Sequence, residues 1–378
     1  MKIALVHDYI KEFGGAERVL MTLHEMLPNA PIYTAFVTPG STAEAEFRKQ
    51  SKSKNIPLRI IPSWANWLIR YGNLYSPLRF LAPLIWESFD FSHYDMVILS
   101  SSGYLTKPVG IPKNVKVICY CHTPSRFLYG YQTQAEWQRY WPIRVYGNFI
   151  AHFLRLYDFL GAKRVDQFVA NSQNVATRIK KFYRRDAVVV YPPVEVEKVE
   201  KLASQGVALR TYFLIVSRIV GMKGIELAMQ AANKLNVLLK IAGEFSGLKF
   251  LSQDLARFKS KNIEFLGPVS EEEKVRLMAG AKAFLVLAQD EDFGITPVEA
   301  MAAGTPVVAY KSGGYLESVI EGKTGTFFEE YNVESLVEAM KRIQKIKFKR
   351  EELRKQAQKF SKEEFIKKIN NLIHAGIT

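Results

Sequence analysis

The residues best suited to chemistry stand together at Glu291-Asp292-Phe293-Gly294-Ile295-Thr296-Pro297-Val298-Glu299. The apolar run at 283–288 reads as a buried strand, and 296–303 reads as a helix. Pro297 suits the first turn of that helix, where its missing N–H costs nothing. Phe293, Gly294 and Ile295 would then offer free backbone N–H groups at a helix N-terminus, a natural anion site. Glu291 precedes the helix and Glu299 lies one turn into it. Both could face the crevice at the carboxyl ends of parallel strands, where open α/β sheets bind ligands. Two carboxylates beside an anion site conflict unless the ligand carries both phosphates and hydroxyls, as a nucleotide sugar does. Two Glu eight apart are common, so the pair alone also fits a solvated helix start.

Other strand ends carry complementary groups. In Val216-Ser217-Arg218-Ile219-Val220-Gly221-Met222-Lys223-Gly224, two cations five apart follow a strand. That spacing suits a diphosphate, with Arg218 binding through two N–H groups and Lys223 as a point charge. Gly243, at the end of Ile241-Ala242-Gly243-Glu244, would let a ligand approach closely. Near the N-terminus, Phe13-Gly14-Gly15-Ala16-Glu17-Arg18 joins a strand to a helix. Its paired glycines suit close approach of an anion, or simply a tight turn. The loop is not G-x-G-x-x-G, so a dinucleotide fingerprint is absent. Residues 119–130, Cys-Tyr-Cys-His-Thr-Pro-Ser-Arg-Phe-Leu-Tyr-Gly, place His122 at a strand's carboxyl end, where it could act. His7 and Asp8 end the first strand and could line an acceptor or make structural hydrogen bonds.

Set in Phe-Gly, Pro297 and Ala303-Gly304-Thr305-Pro306-Val307-Val308, the Glu pair resembles the E-x7-E motif of retaining glycosyltransferases of family 4. The resemblance covers nearly the whole chain, with four separated motifs in family order. It implies an α/β protein with two Rossmann-like domains facing across a cleft, the GT-B fold. It also implies that Glu291 holds the transferred sugar and Glu299 the ribose. Arg218 and Lys223 would neutralise the leaving diphosphate, and Gly15 would meet it. Val269, in Phe265-Leu266-Gly267-Pro268-Val269-Ser270, would hold the base through its backbone. The His122 segment closely resembles that of bacterial GDP-mannose-dependent mannosyltransferases. It puts His122 by the reacting sugar and makes Arg126 a candidate for the acceptor or its phosphate, beside Asp8. GDP-mannose is the donor so implied; another GDP- or UDP-hexose, or a nucleotide-sugar binder without turnover, is the alternative.

Asp290-Glu291-Asp292 superficially resembles a D-x-D metal motif, but its middle residue belongs to the E-x7-E pair. No metal or other cofactor is expected, because Arg218, Lys223 and two helix N-termini can stabilise the leaving group.

Strand-like runs alternating with helical patterns must position these groups, the signature of parallel α/β sheets. Strands are predicted near 2–7, 31–36, 58–61, 95–99, 115–121, 167–171 and 187–191, then near 212–217, 237–242, 263–266, 283–288, 306–310 and 325–328. Tyr191-Pro192-Pro193-Val194 reads as the linker. The domains predicted are 1–192 for the acceptor and 193–359 for the donor, with a helix at about 360–378 crossing back to the first.

At 378 residues, 48% apolar and 24% charged, the chain has an ordinary globular composition. Cys119 and Cys121 read as core residues in a reducing compartment. The N-terminus reads as a strand rather than a signal peptide. No apolar run approaches the ~20 residues that span a bilayer. Residues 1–192 carry 24 Lys and Arg against 13 Asp and Glu, a balance of +11; residues 193–378 carry 28 against 24, a balance of +4. No nucleic-acid-binding motif accompanies that charge. Instead Trp64, Trp67, Leu68, Tyr71 and Tyr75 recur at helical spacing near Arg59, Arg70 and Arg79, and a second aromatic-basic stretch runs from Trp137 through Arg144 to Arg155. Such segments suit an anionic membrane interface, with Trp64, Trp67 and Arg70 in contact. They could also pack on their own domain, but the +11 balance of this half favours the membrane. The membrane reading predicts a cytoplasmic protein peripheral on the inner face of the cell membrane, taking a lipid-linked or saccharide acceptor.

Overall fold

The structure is a computed structural model that describes residues 1–70, 77–131, 141–205, 210–219, 223–244, 255 and 257–375. The chain divides into two compact units. One takes Met1–Tyr131, Trp137–Pro193 and Phe365–Thr378, the other chiefly Val194–Glu364.

The first unit is built on seven strands: β1 Ile3–His7, β2 Ile32–Thr34, β3 Ile60–Pro62, β4 Met96–Ser101, β5 Lys116–Cys121, β6 Gln167–Ala170 and β7 Ala187–Val189. All pair in parallel, in the order β3-β2-β1-β4-β5-β6-β7. β1 and β4 are buried along their whole length, as strands covered on both faces must be. Alternation sends Ala4, Val6, Val97, Leu99, Cys119 and Cys121 into one core layer, and Ile3, Leu5, Met96, Ile98 and Tyr120 into the other. The helix Lys362–Ala375 closes the second layer with Phe365, Ile369 and Ile373, one turn apart. Both cysteines are free and buried, and burial pushes the Cys119 thiol up to about 12.

The second unit carries β8 Tyr212–Val216, β9 Leu239–Ala242, β10 Ile263–Gly267, β11 Ala281–Val286, β12 Val307–Tyr310 and β13 Gly325–Phe328. These too are all parallel, in the order β10-β9-β8-β11-β12-β13. Every predicted strand is present. The one expected at 283–288 runs two residues earlier, because the ladders beside it end at Phe284↔Leu214 and Val286↔Ala309. Leu287 and Ala288 already belong to the loop that leads into the helix Ile295–Ala302.

Each sheet reverses its direction of growth once, between β1 and β4 in the first and between β8 and β11 in the second. Such switch points open a crevice at the carboxyl ends of the strands. His7 ends β1, and Ser217-Arg218 follow β8.

Candidate active site

In the second unit, Glu291 follows β11 and Lys223 lies on the loop after β8, on the two sides of the switch point. Lys223 Nζ donates to Glu291 Oε2 over 2.6 Å, and both side chains keep about a quarter of their surface in solvent, 24% and 23%. The Tyr315 hydroxyl reaches the same oxygen at 3.4 Å. Burial and the Glu291 carboxylate hold that hydroxyl well above its usual range, so it remains a proton donor.

Glycines fit the surrounding loops together. Gly294 caps the helix Ile295–Ala302 at φ +83°, and a Cβ there would lie 2.9 Å from Cε1 of Tyr315. At Gly314 a Cβ would stand 2.3 Å from Cα of Phe293, while the Gly314 N–H donates to the Glu291 carbonyl. Ile295 is half-buried at the start of the helix. The Phe293 ring is a core plug, packed 5.3 Å from Phe360.

Glu299 lies one turn further, only 3% exposed, and its Oε1 accepts from Lys274 Nζ at 2.9 Å. Lys274 also reaches Glu271 at 2.7 Å. This lysine, on the helix Glu271–Gly280, gives no sequence signal, because its partner is 25 residues away. Val269 is half-buried just before that helix, which Ser270 caps by accepting from the Glu273 N–H. Arg218 is exposed. Gly243 directly follows β9, against a neighbouring strand end. The carbonyl of Ser217 lies 1.9 Å from where a Cβ would sit, so the neighbouring backbone by itself demands glycine there.

In the first unit a different cluster occupies the switch point. Ser100, at the end of β4, pairs with His7 across the sheet. Its Oγ lies 2.9 Å from His7 Nδ1 and 2.8 Å from His122 Nε2. Burial, with His7 close by, pushes His122 down to about 3, so the ring is neutral across the physiological range. His7 Nε2 faces Glu17 Oε1 at 3.5 Å, and Glu17 Oε2 accepts from the Gly14 N–H at 2.9 Å. Gly15 itself is exposed at the start of the helix Gly15–Met26. Beside His122, Thr123 Oγ1 accepts from Arg178, a buried cation that the sequence analysis did not single out.

Of the two roles open to Asp8, the geometry supports the structural one. Its Oδ2 accepts from the N–H groups of Ser102, Gly103 and Tyr104 and from the Ser102 hydroxyl, and its Oδ1 from Thr106. The carboxylate pins the loop after β4 and is 2% exposed. Arg126 is half-buried on the loop after β5.

Trp64 and Trp67 are exposed, at 49% and 69%, around the short helix Asn66–Arg70. The side chain of Arg70 and residues Tyr71, Tyr75 and Trp137 lie outside the described residues. The long helix Trp141–Arg164 exposes Trp141, Val145, Phe149, Phe153, Leu156 and Leu160 in one stripe, three or four residues apart. Arg144, Arg155 and Lys163 on it are exposed. Its one carboxylate, Asp158, is buried against Lys107 Nζ at 2.8 Å and accepts from the hydroxyls of Tyr129 and Tyr183. No helix among the described residues is long and apolar enough to cross a membrane, and no group of three or more His, Cys, Asp or Glu among them could hold a metal ion.

Comparison with known proteins bears on the family and the fold. The family described as Glycosyltransferase Family 4 matches residues 13–198, and that described as Glycosyl transferases group 1 matches residues 200–360. The Alpha-1,3/1,6-mannosyltransferase ALG2 of Dictyostelium discoideum is 25% identical over 376 residues, covering 86% of this chain and 85% of its own length. That of Schizosaccharomyces pombe is 24% identical, covering 86% and 70%. Among solved structures, Anabaena Alr3699/HepE in complex with UDP-glucose shares the fold at a TM-score of 0.70 and 18% identity, over 99% of this chain and 100% of its own. One family match falls on each of the two parallel-sheet halves and relatives align along most of the length, so the chain is a family 4-like glycosyltransferase of the GT-B fold.

Proposed function

We propose that this glycosyltransferase moves mannose from GDP-mannose to a lipid-linked acceptor, with retention at the anomeric carbon and without a metal ion. The observation that carries the site reading is the partly solvated Lys223–Glu291 pair beside the N-terminus of the helix Ile295–Ala302. It sets a cation and a carboxylate beside the first turn of a helix, as a ligand of phosphates and hydroxyls requires. Similarity to α-mannosyltransferases along 86% of the chain supports mannose as the sugar.

In this reading the bond from the anomeric carbon to the phosphate oxygen breaks and the diphosphate leaves with the electron pair. Arg218, Lys223 and the N–H groups of Phe293, Gly294 and Ile295 take up its charge. The acceptor hydroxyl attacks from the same face, and its proton passes to the departing phosphate. Glu291 orients the sugar hydroxyls. Glu299, held by Lys274, binds the ribose, and the backbone near Val269 takes the base. The first unit supplies Gly15 for the diphosphate, His122 for the reacting sugar and Arg126 for the acceptor phosphate.

The apolar stripe of the helix Trp141–Arg164, flanked by Arg144, Arg155 and Lys163, together with Trp64 and Trp67, suits a peripheral anionic membrane surface on the cytoplasmic side. A lipid-linked acceptor would reach the first unit from there. A UDP-hexose is the second reading, favoured by the solved relative with UDP-glucose. The test is incubation with labelled GDP-mannose, UDP-glucose and related donors, with lipid extract, followed by NMR of the product's anomeric centre. Transfer from GDP-mannose with retained configuration is expected. Transfer from UDP-hexoses alone, or an inverted product, would overturn the donor or the mechanism.

A further inference from the structure

The hydroxyl of Ser100 stands between two imidazole rings, 2.9 Å from His7 Nδ1 and 2.8 Å from His122 Nε2. A serine hydroxyl has one hydrogen. For an uncharged pair of rings, both contacts are hydrogen bonds only if Ser100 donates to one ring and accepts from the other. The two tautomers are therefore coupled, and whatever chooses one chooses both. Glu17 stands at the far end. Its Oε2 is occupied by the Gly14 N–H, and its Oε1 faces His7 Nε2 at 3.5 Å. A bare nitrogen lone pair turned toward a carboxylate is repelled, whereas an N–H turned toward it is attracted.

We infer that Glu17, acting through His7 and Ser100, sets the tautomer of His122, with the proton on Nε2 and Nδ1 left as an acceptor. The proton order follows link by link. His7 carries its hydrogen on Nε2, toward Glu17, so His7 Nδ1 is bare and accepts from Ser100. Ser100 in turn accepts from His122 Nε2–H. His7, Ser100 and His122 are all buried, so bulk water does not compete for these bonds. Glu17 and Ser100 are thus positioning residues, and the Gly14-Gly15 loop is connected to His122 through the Gly14–Glu17 hydrogen bond, the 3.5 Å Glu17–His7 contact and the two hydrogen bonds of Ser100. Resting on the reading that His122 serves the transferred sugar, its Nδ1 accepts from a ligand hydroxyl instead of donating to a ligand oxygen.

The test is NMR of full-length protein labelled with 15N-histidine, in which ring correlations separate the two tautomers. His122→Gln assigns its signals among the six histidines. The wild type should show His122 protonated on Nε2; protonation on Nδ1 overturns the inference, whatever the variants do. Glu17→Gln tests direction. Its amide oxygen can keep the Gly14 N–H while its NH2 donates to His7 Nε2, so both rings should invert together. An unchanged His122 signal beside an inverted His7 would refute the coupling. Ser100→Ala should give mixed tautomers at His122, and Ser100→Thr should restore one. In turnover, Glu17→Gln should lower kcat about tenfold, the loss of one hydrogen bond, with donor KM unchanged. Inversion of both rings without a rate change would uphold the relay and refute instead the placing of His122 at the sugar.

Discussion

The carboxyl edges of the two sheets share a topology and differ in how they hold polar groups. At the first, the functional candidates are sunk below the surface and joined by hydrogen bonds through Ser100, and the Asp8 carboxylate is occupied by its own loop. At the second, Lys223 and Glu291 remain partly in water as an ion pair. Burial fixes geometry but penalises charge, whereas partial solvation keeps charge available at little cost. The first edge is thus suited to orienting neutral hydroxyls, the second to receiving an anion whose charge grows during reaction. The same contrast holds between two lysines. Lys107 is fully buried; burial alone would lower it, but the Asp158 carboxylate outweighs that and holds it above its usual range. It is a structural pin, whereas Lys223, paired with Glu291, keeps about a quarter of its side chain in solvent, at 24%.

The largest effect expected is on that pin. Asp158→Ala leaves a buried ammonium without its counter-charge and should lower the stability of the first unit by about 3–5 kcal/mol, read from denaturant unfolding. A loss under about 1 kcal/mol would mean that the pair is not the anchor its burial implies. Next in size, Lys223→Ala and Arg218→Ala should each slow transfer by at least ~100-fold while leaving the unfolding midpoint nearly unchanged. EDTA should not abolish the wild-type rate; complete loss with rescue by Mn²⁺ would return the Asp290-Glu291-Asp292 run to consideration as a metal site.

A smaller effect separates the neutral edge from the charged one. His122 is held near 3 against 6.5 in the unfolded chain, so between those values the unfolded state binds a proton that the folded state does not. Stability therefore falls as pH drops through that window, by up to ~1.4 kcal/mol per pH unit from this group. His122→Gln should flatten the slope in unfolding measured from pH 6.5 downward. The smallest effect concerns the exposed aromatics. Flotation with liposomes should rise with anionic lipid, fall with salt, and weaken several-fold when Trp64 and Trp67 become Ser. No flotation on anionic liposomes at low salt would point to a soluble acceptor.

Local pattern was enough to place the strands, because apolar runs bounded by turn residues are read within a short window. It also placed Arg218 and His122 at strand ends, and Lys223 and Glu291 on the loops that follow strands. Partners distant in the chain were decided only by the tertiary structure. Ser100 meets His7 because β1 and β4 lie side by side, 93 residues apart in sequence. Lys274 finds Glu299, and Tyr315 finds Glu291, through packing that no spacing encodes. Asp8 and Gly243 were legible as special, but not the neighbours they meet: the hydrogen-bond donors of the one and the crowding carbonyl of the other come from separate loops. A residue's type states what it can bond to, while the sheet order decides what stands within 3 Å of it.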